Sequence, residues 1–70
     1  MQEGVCITVN GAPRRVRAHI HLAELLEELG LPARGVAVER NRKLVRAQDL
    51  AGTELFEGDE LELVTLVGGG

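Results

Sequence analysis

"ELELVTLV", residues 60–67, decides the fold. Side chains alternate along a strand, so Leu61, Leu63 and Val67 share one face and Val64 and Leu66 share the other. A strand that is apolar on both faces belongs inside a sheet, with neighbours on each side, and not at an edge. The architecture then depends on what the rest of the chain can place around it.

Immediately upstream, "FEGDE" (56–60) is a turn in which Gly58 can supply positive φ. Before it, "QDLAGTEL" is irregular, with room for a helical turn around Leu50. "GVAVERN" (35–41) is a strand with Val36 and Val38 inward; Asn41 to Lys43 turn the chain into a short strand, "LVRA". "HLAELLEELG" (21–30) changes the period. Leu22, Leu25, Leu26 and Leu29 fall at i, i+3, i+4 and i+7, one face of a helix, with Glu24, Glu27 and Glu28 on the other. Gly30 suits a left-handed C-terminal cap and Pro32 stops continuation. His21 stands where Ser, Thr or Asp would cap better.

The chain opens on "VCITVN" (5–10), with Val5, Ile7 and Val9 to one side and Cys6 and Thr8 to the other. Asn10-Gly11 signals a type I′ hairpin turn, which needs positive φ at both positions. "RRVRA" returns with Val16 and Ala18 inward and Arg15 and Arg17 outward. Pro13 and the arginines mark it as an edge strand guarded against unwanted pairing. The order is thus strand, strand, helix, strand, short strand, strand. This is an α+β domain: a mixed sheet of four to five strands with one helix across one face. With 60–67 central and parallel to the first strand, the architecture is a β-grasp over residues 1–67, followed by a glycine tail, 68–70.

Composition narrows the function classes. Seventy residues bury only about 60% of their unfolded surface, leaving little room for an enclosed active site. With one Phe and no Trp or Tyr, the core is aliphatic. Eleven acidic and eight basic residues give a net charge of −3, and the signs are segregated. All basic residues lie between Arg14 and Arg46, whereas the chain from Ala47 onward carries Asp49, Glu54, Glu57, Asp59, Glu60 and Glu62 and no Lys or Arg. Such a half disfavours binding a nucleic-acid backbone and suits docking on a basic protein surface; the competing explanation is a solvated face that maintains solubility. The polar N-terminus has no signal-peptide pattern, and no apolar run is long enough for a membrane span. A single cysteine precludes an internal disulfide. The expectation is a cytoplasmic protein without membrane or nucleic-acid partners.

Catalytic chemistry does not assemble from this inventory. His19 and His21 flank Ile20 without further ligands at metal-binding spacing, and read as a polar approach to the helix. Cys6 could carry a persulfide, but reads as a small strand residue. The expectation is no metal and no bound cofactor. Two features remain. Val64 and Leu66, with Phe56, can form an exposed apolar docking patch, unless the chain's own irregular segment covers them. The last three residues, Gly68, Gly69 and Gly70, have no side chains to pack. They read either as a frayed terminus or as a thin tail that threads a narrow partner site and presents the α-carboxylate of Gly70.

Several stretches together resemble a known family: the early "VNG", "LAELLEELGL", "GVAVERNRKLV", "LFEGDELELVTLV" and the terminal Gly-Gly. Within them stand AV-x-x-N, ending at Asn41, and Leu55 three residues before Gly58-Asp59. Over nearly its whole length the chain is similar to the bacterial sulfur carriers of thiamine thiazole biosynthesis, which are ubiquitin-like β-grasp proteins. The resemblance implies that an ATP-dependent adenylyltransferase, akin to ubiquitin-activating enzymes, adenylates Gly70. Sulfur from a cysteine desulfurase relay then leaves a thiocarboxylate, which thiazole synthase consumes. ATP and Mg²⁺ belong to the partner enzyme, and the carrier is a co-substrate and not an enzyme. Gly68 exceeds the Gly-Gly the family needs, and His21 replaces its usual hydroxyl cap. Other functions open to a Gly-ended domain are the small subunit of molybdopterin synthase, a carrier for transfer-RNA thiolation, a covalent protein modifier, and a plain interaction module.

Overall fold

A computed structural model describes residues 4–65. Its first strand, β1 (Gly4–Val9), turns at Asn10-Gly11 into β2 (Ala12–Arg17). Both turn residues have positive φ, 52° and 83°, as the type I′ expectation requires. The antiparallel register sets Val5 opposite Val16 and Cys6 opposite Arg15. Ile7 and Val16 are buried, Cys6, Arg15 and Arg17 are exposed, and β2 is an edge strand.

Helix α1 (Leu22–Glu28) buries Leu22, Leu25 and Leu26, and the chain leaves it through Gly30 at φ 74°. The weak cap expected at His21 is strengthened from inside the helix. The Glu24 carboxylate accepts the His21 backbone N–H at 2.9 Å, satisfying a donor that a hydroxyl cap would leave free. That bond, together with nearby Arg17, holds the Glu24 carboxyl below its ordinary value. Arg17 also pairs with Glu28, so edge strand β2 is tied to α1.

Strands β3 (Val36–Arg40) and β4 (Lys43–Val45) form the second hairpin. Its turn is tighter than the expected Asn41–Lys43. Asn41 and Arg42 alone make it, at φ 53° and 70°, so Lys43 already pairs with Arg40 and β4 starts one residue earlier than "LVRA". A 3-10 helix (Ala47–Gly52) follows and buries Leu50. Backbone bonds from Leu22 to Thr53 and from Leu55 to Ile20 fasten this segment to the start of α1.

β5 (Glu60–Thr65) completes a sheet of order β2-β1-β5-β3-β4. It lies in the centre, parallel to β1 and antiparallel to β3, as its two apolar faces require. This is a β-grasp. Ile7, Val38, Leu61 and Leu63 from the sheet meet Ile20, Leu22, Leu25 and Leu26, with Leu50 and Leu55 closing the end. No helix among the described residues is long and apolar enough to cross a membrane.

Candidate functional site

β5 is gripped by side chains along both of its edges. At its incoming end the carboxylate of Asp59 is buried to 6% exposure. It accepts from Arg40 Nε at 2.9 Å, Asn41 Nδ2 at 3.1 Å and the Phe56 backbone N–H at 2.8 Å. Burial pushes this carboxyl up, but the Phe56 N–H, the Asn41 amide and the Arg40 guanidinium outweigh it and hold it below its ordinary value. Asn41 Oδ1 accepts the Glu60 N–H at 2.9 Å, and the Asn41 N–H donates to the Glu60 carbonyl at 2.7 Å. Gly58 makes the turn possible at φ 86°, and Leu55 anchors it in the core. AV-x-x-N and Leu55 before Gly58-Asp59, two of the motifs that carry the resemblance, therefore form a lock on the turn into β5.

Asn10 holds the β1-side edge of β5, from Leu61 to Leu63. Its backbone N–H reaches the Leu61 carbonyl at 2.8 Å. Its side chain then accepts the Leu63 N–H at 2.7 Å and donates to the Leu63 carbonyl at 3.2 Å. In the sequence Asn10 is recognisable only as a turn former. The bonding partner lies 53 residues away, and no local pattern points to it.

On the sheet face away from α1, Val64 stands opposite Ala37, whose small side chain leaves Val64 56% exposed. Phe56 is 54% exposed in the turn preceding β5. Leu44, 68% exposed, is a third apolar side chain at the surface. Strand parity could have located it, because Val45 faces the core. Glu39 and Glu62 are paired directly across β3 and β5 and both are exposed. Like charges in that relation weaken a sheet, and an approaching cationic surface would relieve them. Of the sequence candidates, Phe56 and Val64 are thus accessible, whereas Leu66, Gly68, Gly69 and Gly70 lie outside the described residues, as does the boundary at 67/68.

Other chemistry-bearing groups do not converge. His19 Nδ1 meets Glu54 at 2.9 Å on the surface, and Arg15 approaches the exposed Cys6 sulfur at 3.6 Å. No group of three His, Cys, Asp or Glu side chains among the described residues could hold a metal. A groove of about 410 Å³ between β4 and the 3-10 helix is lined by Arg40, Lys43, Gln48 and Asp49, without a nucleophile and base set.

The sequence model of the ThiS family matches residues 7–70. The chain belongs to the ThiS family. It is 36% identical over 64 residues to the sulfur carrier protein ThiS of Thermus thermophilus, covering 91% of this chain and 98% of that protein. It is 41% identical over 64 residues to a thiazole synthase of Paramagnetospirillum magneticum, covering 91% of this chain and 20% of that protein. The chain therefore spans about one fifth of the length of the thiazole synthases it matches. The crystal structure of a thiamine biosynthesis protein (ThiS) from Geobacter metallireducens superposes with a TM-score of 0.81 at 32% identity, covering 94% of this chain and all of that one. Family membership and β-grasp fold agree with the sequence-based expectation.

Proposed function

We propose that this chain is a sulfur carrier of thiamine biosynthesis, a co-substrate of partner enzymes and not an enzyme itself. The observation that carries this reading is the family match across residues 7–70, which runs to the last glycine. Similarity over nearly the full length of a Thermus sulfur carrier supports it.

The chemistry then falls on the α-carboxylate of Gly70. A carboxylate is a poor electrophile, because the group expelled would be an oxide. Attack of its oxygen on the α-phosphorus of ATP releases pyrophosphate and leaves an acyl-adenylate with AMP as a good leaving group. Sulfur reaching the carbonyl carbon at the sulfide level, from a desulfurase relay and a thiol reductant, displaces AMP and leaves a thiocarboxylate. ATP and Mg²⁺ are held by the adenylyltransferase, and the pathway runs in the cytoplasm, where ATP is supplied. Gly68 and Gly69 pass through the partner's narrow site because they carry no Cβ.

Thiazole synthase is the sulfur acceptor in this reading. Supporting it, a segment similar to this chain makes up a fifth of polypeptides bearing that name. Val64 and Phe56, with the acidic pair Glu39 and Glu62, are the proposed docking surface, extended by Leu66. The partner contacting it should be apolar with a basic rim.

Loss of the chain from its host should create a growth requirement that the thiazole moiety alone satisfies. A requirement met only by restoring molybdoenzymes or transfer-RNA thiolation would overturn the assignment to thiamine biosynthesis.

A further inference from the structure

We infer that the open edge of β4, with the groove beside it, is a docking site for an extended acidic segment of a partner protein, which adds to the sheet as a sixth strand. The site lies two strands away from β5 and does not depend on the carrier reading. β2 and β4 are the two edges of the sheet, and they are not equivalent. In β2, Pro13 lacks a backbone N–H, and Arg17 ties the strand to α1 through Glu24 and Glu28. β4 has neither protection.

What β4 offers follows from its hairpin. A two-residue turn makes the flanking residues, Arg40 and Lys43, a hydrogen-bonded pair. The next pair, Glu39 and Leu44, is then non-bonded, and Val38 and Val45 bond again. Leu44 therefore turns its backbone N–H and carbonyl away from β3, toward the open edge. Neither has another partner among the described residues. Its side chain is exposed as well. Beside it runs the groove, with Leu44 and Val45 on the strand side and Gln48, Asp49 and Thr53 on the other.

Charge identifies the occupant. Arg42, Lys43 and Arg46 are exposed along this edge, and none forms an ion pair among the described residues. By contrast, Arg17 and Arg40 are engaged by carboxylates. An edge lysine ordinarily deters strand pairing. Here the cations deter a second copy of this chain: with Leu44 opposite its own counterpart, Arg42 of one copy faces Arg46 of the other. The same cations favour a strand that bears carboxylates. An antiparallel strand lets one incoming residue take both free groups of Leu44. That residue should be apolar, to cover the Leu44 side chain, with acidic residues opposite Arg42, Lys43 and Arg46. Asp49, the one acidic residue lining the groove, opposes the charge of such a segment.

The test titrates the full chain with a capped Glu-Val-Ile-Glu-Glu peptide, up to about 1 mM at low salt, and follows the backbone amide resonances. Shifts should concentrate in residues 43–46 and 48–53, and binding should weaken as salt rises. N-methylation of the central Ile removes the donor to the Leu44 carbonyl without altering the protein, and should weaken binding about tenfold. Replacing the glutamates with lysines should abolish binding. Lys43→Glu should weaken it by about tenfold, and Asp49→Asn should tighten it by about twofold. Absence of binding would overturn the inference and leave the edge cations as a guard against pairing. Shifts centred on Val64, full affinity for the N-methylated peptide, or equal binding of a single-stranded oligonucleotide would overturn it too.

Discussion

The turns at Asn10-Gly11 and Asn41-Arg42 begin with the same residue, adopt positive φ at both positions, and flank the same strand. In each, the asparagine N–H donates to a carbonyl of β5, Leu61 in one case and Glu60 in the other. Their side chains then diverge. Asn41 enters a charged and partly buried knot with Asp59 and Arg40, at the end where the chain arrives. Asn10 makes two neutral bonds to the backbone of Leu63, in the middle of the strand and on its other edge. The same turn chemistry thus clasps β5 from both edges, once through a charged knot and once through a neutral carboxamide pair.

Substitutions that separate the two clasps should differ in size. Removing the Asp59 carboxylate as Asp59→Ala strands the Arg40 guanidinium and leaves the Phe56 N–H without its acceptor. We expect a loss of about 3 kcal/mol in denaturant unfolding, the scale for breaking a partly buried, hydrogen-bonded charge pair. Asn41→Gly retains the left-handed backbone and loses two side-chain bonds, one of them to that charge. It should cost about 2 kcal/mol. Asn10→Gly loses two bonds, neither of them to a charge, and about 1 kcal/mol should suffice. An Asn10→Gly loss larger than that of Asp59→Ala would invert the comparison.

Acid distinguishes the two clasps without mutation. Because the folded Asp59 carboxyl titrates below its ordinary value, its contribution is fully present above the unfolded carboxylate value of about 3.9. It is lost as the pH falls from there through the folded value. Asp59→Asn should flatten that part of the stability profile. Asn10 carries no titrating group, so the cost of Asn10→Gly should be the same at neutral pH and in mild acid. The smallest effect is at the second turn position. Arg42 holds φ 70°, a conformation that disfavours a side chain. Arg42→Gly should raise stability by about 0.5 kcal/mol, the relief of strain being partly offset by a freer unfolded chain.

Much of this architecture was legible in the sequence because it rests on periodicity. The leucine spacing of α1 survives in the burial of Leu22, Leu25 and Leu26. The two apolar faces of β5 placed it centrally, and Asn10-Gly11 marked its hairpin. The asparagine clasps were not legible. Each asparagine already had a sufficient local explanation as a turn former, and each bonds to residues distant along the chain. Leu44 could have been found by parity. The ion pairs from Arg17 to Glu24 and Glu28 depend on how β2 lies beside α1, which no local pattern encodes. Of the site, the accessibility of Phe56 and Val64 agrees with their surface assignment, whereas Leu66 and the glycines lie beyond the described residues.

The central claim concerns one atom group, the carboxylate of Gly70. Intact mass spectrometry of the chain after incubation with its adenylyltransferase, ATP, Mg²⁺ and a sulfide source tests it most directly. The account predicts a mass gain equal to the exchange of one oxygen for sulfur, confined to the C-terminal peptide and abolished by deleting Gly70. An unchanged C-terminal peptide under those conditions, or a gain that persists without Gly70, would contradict it.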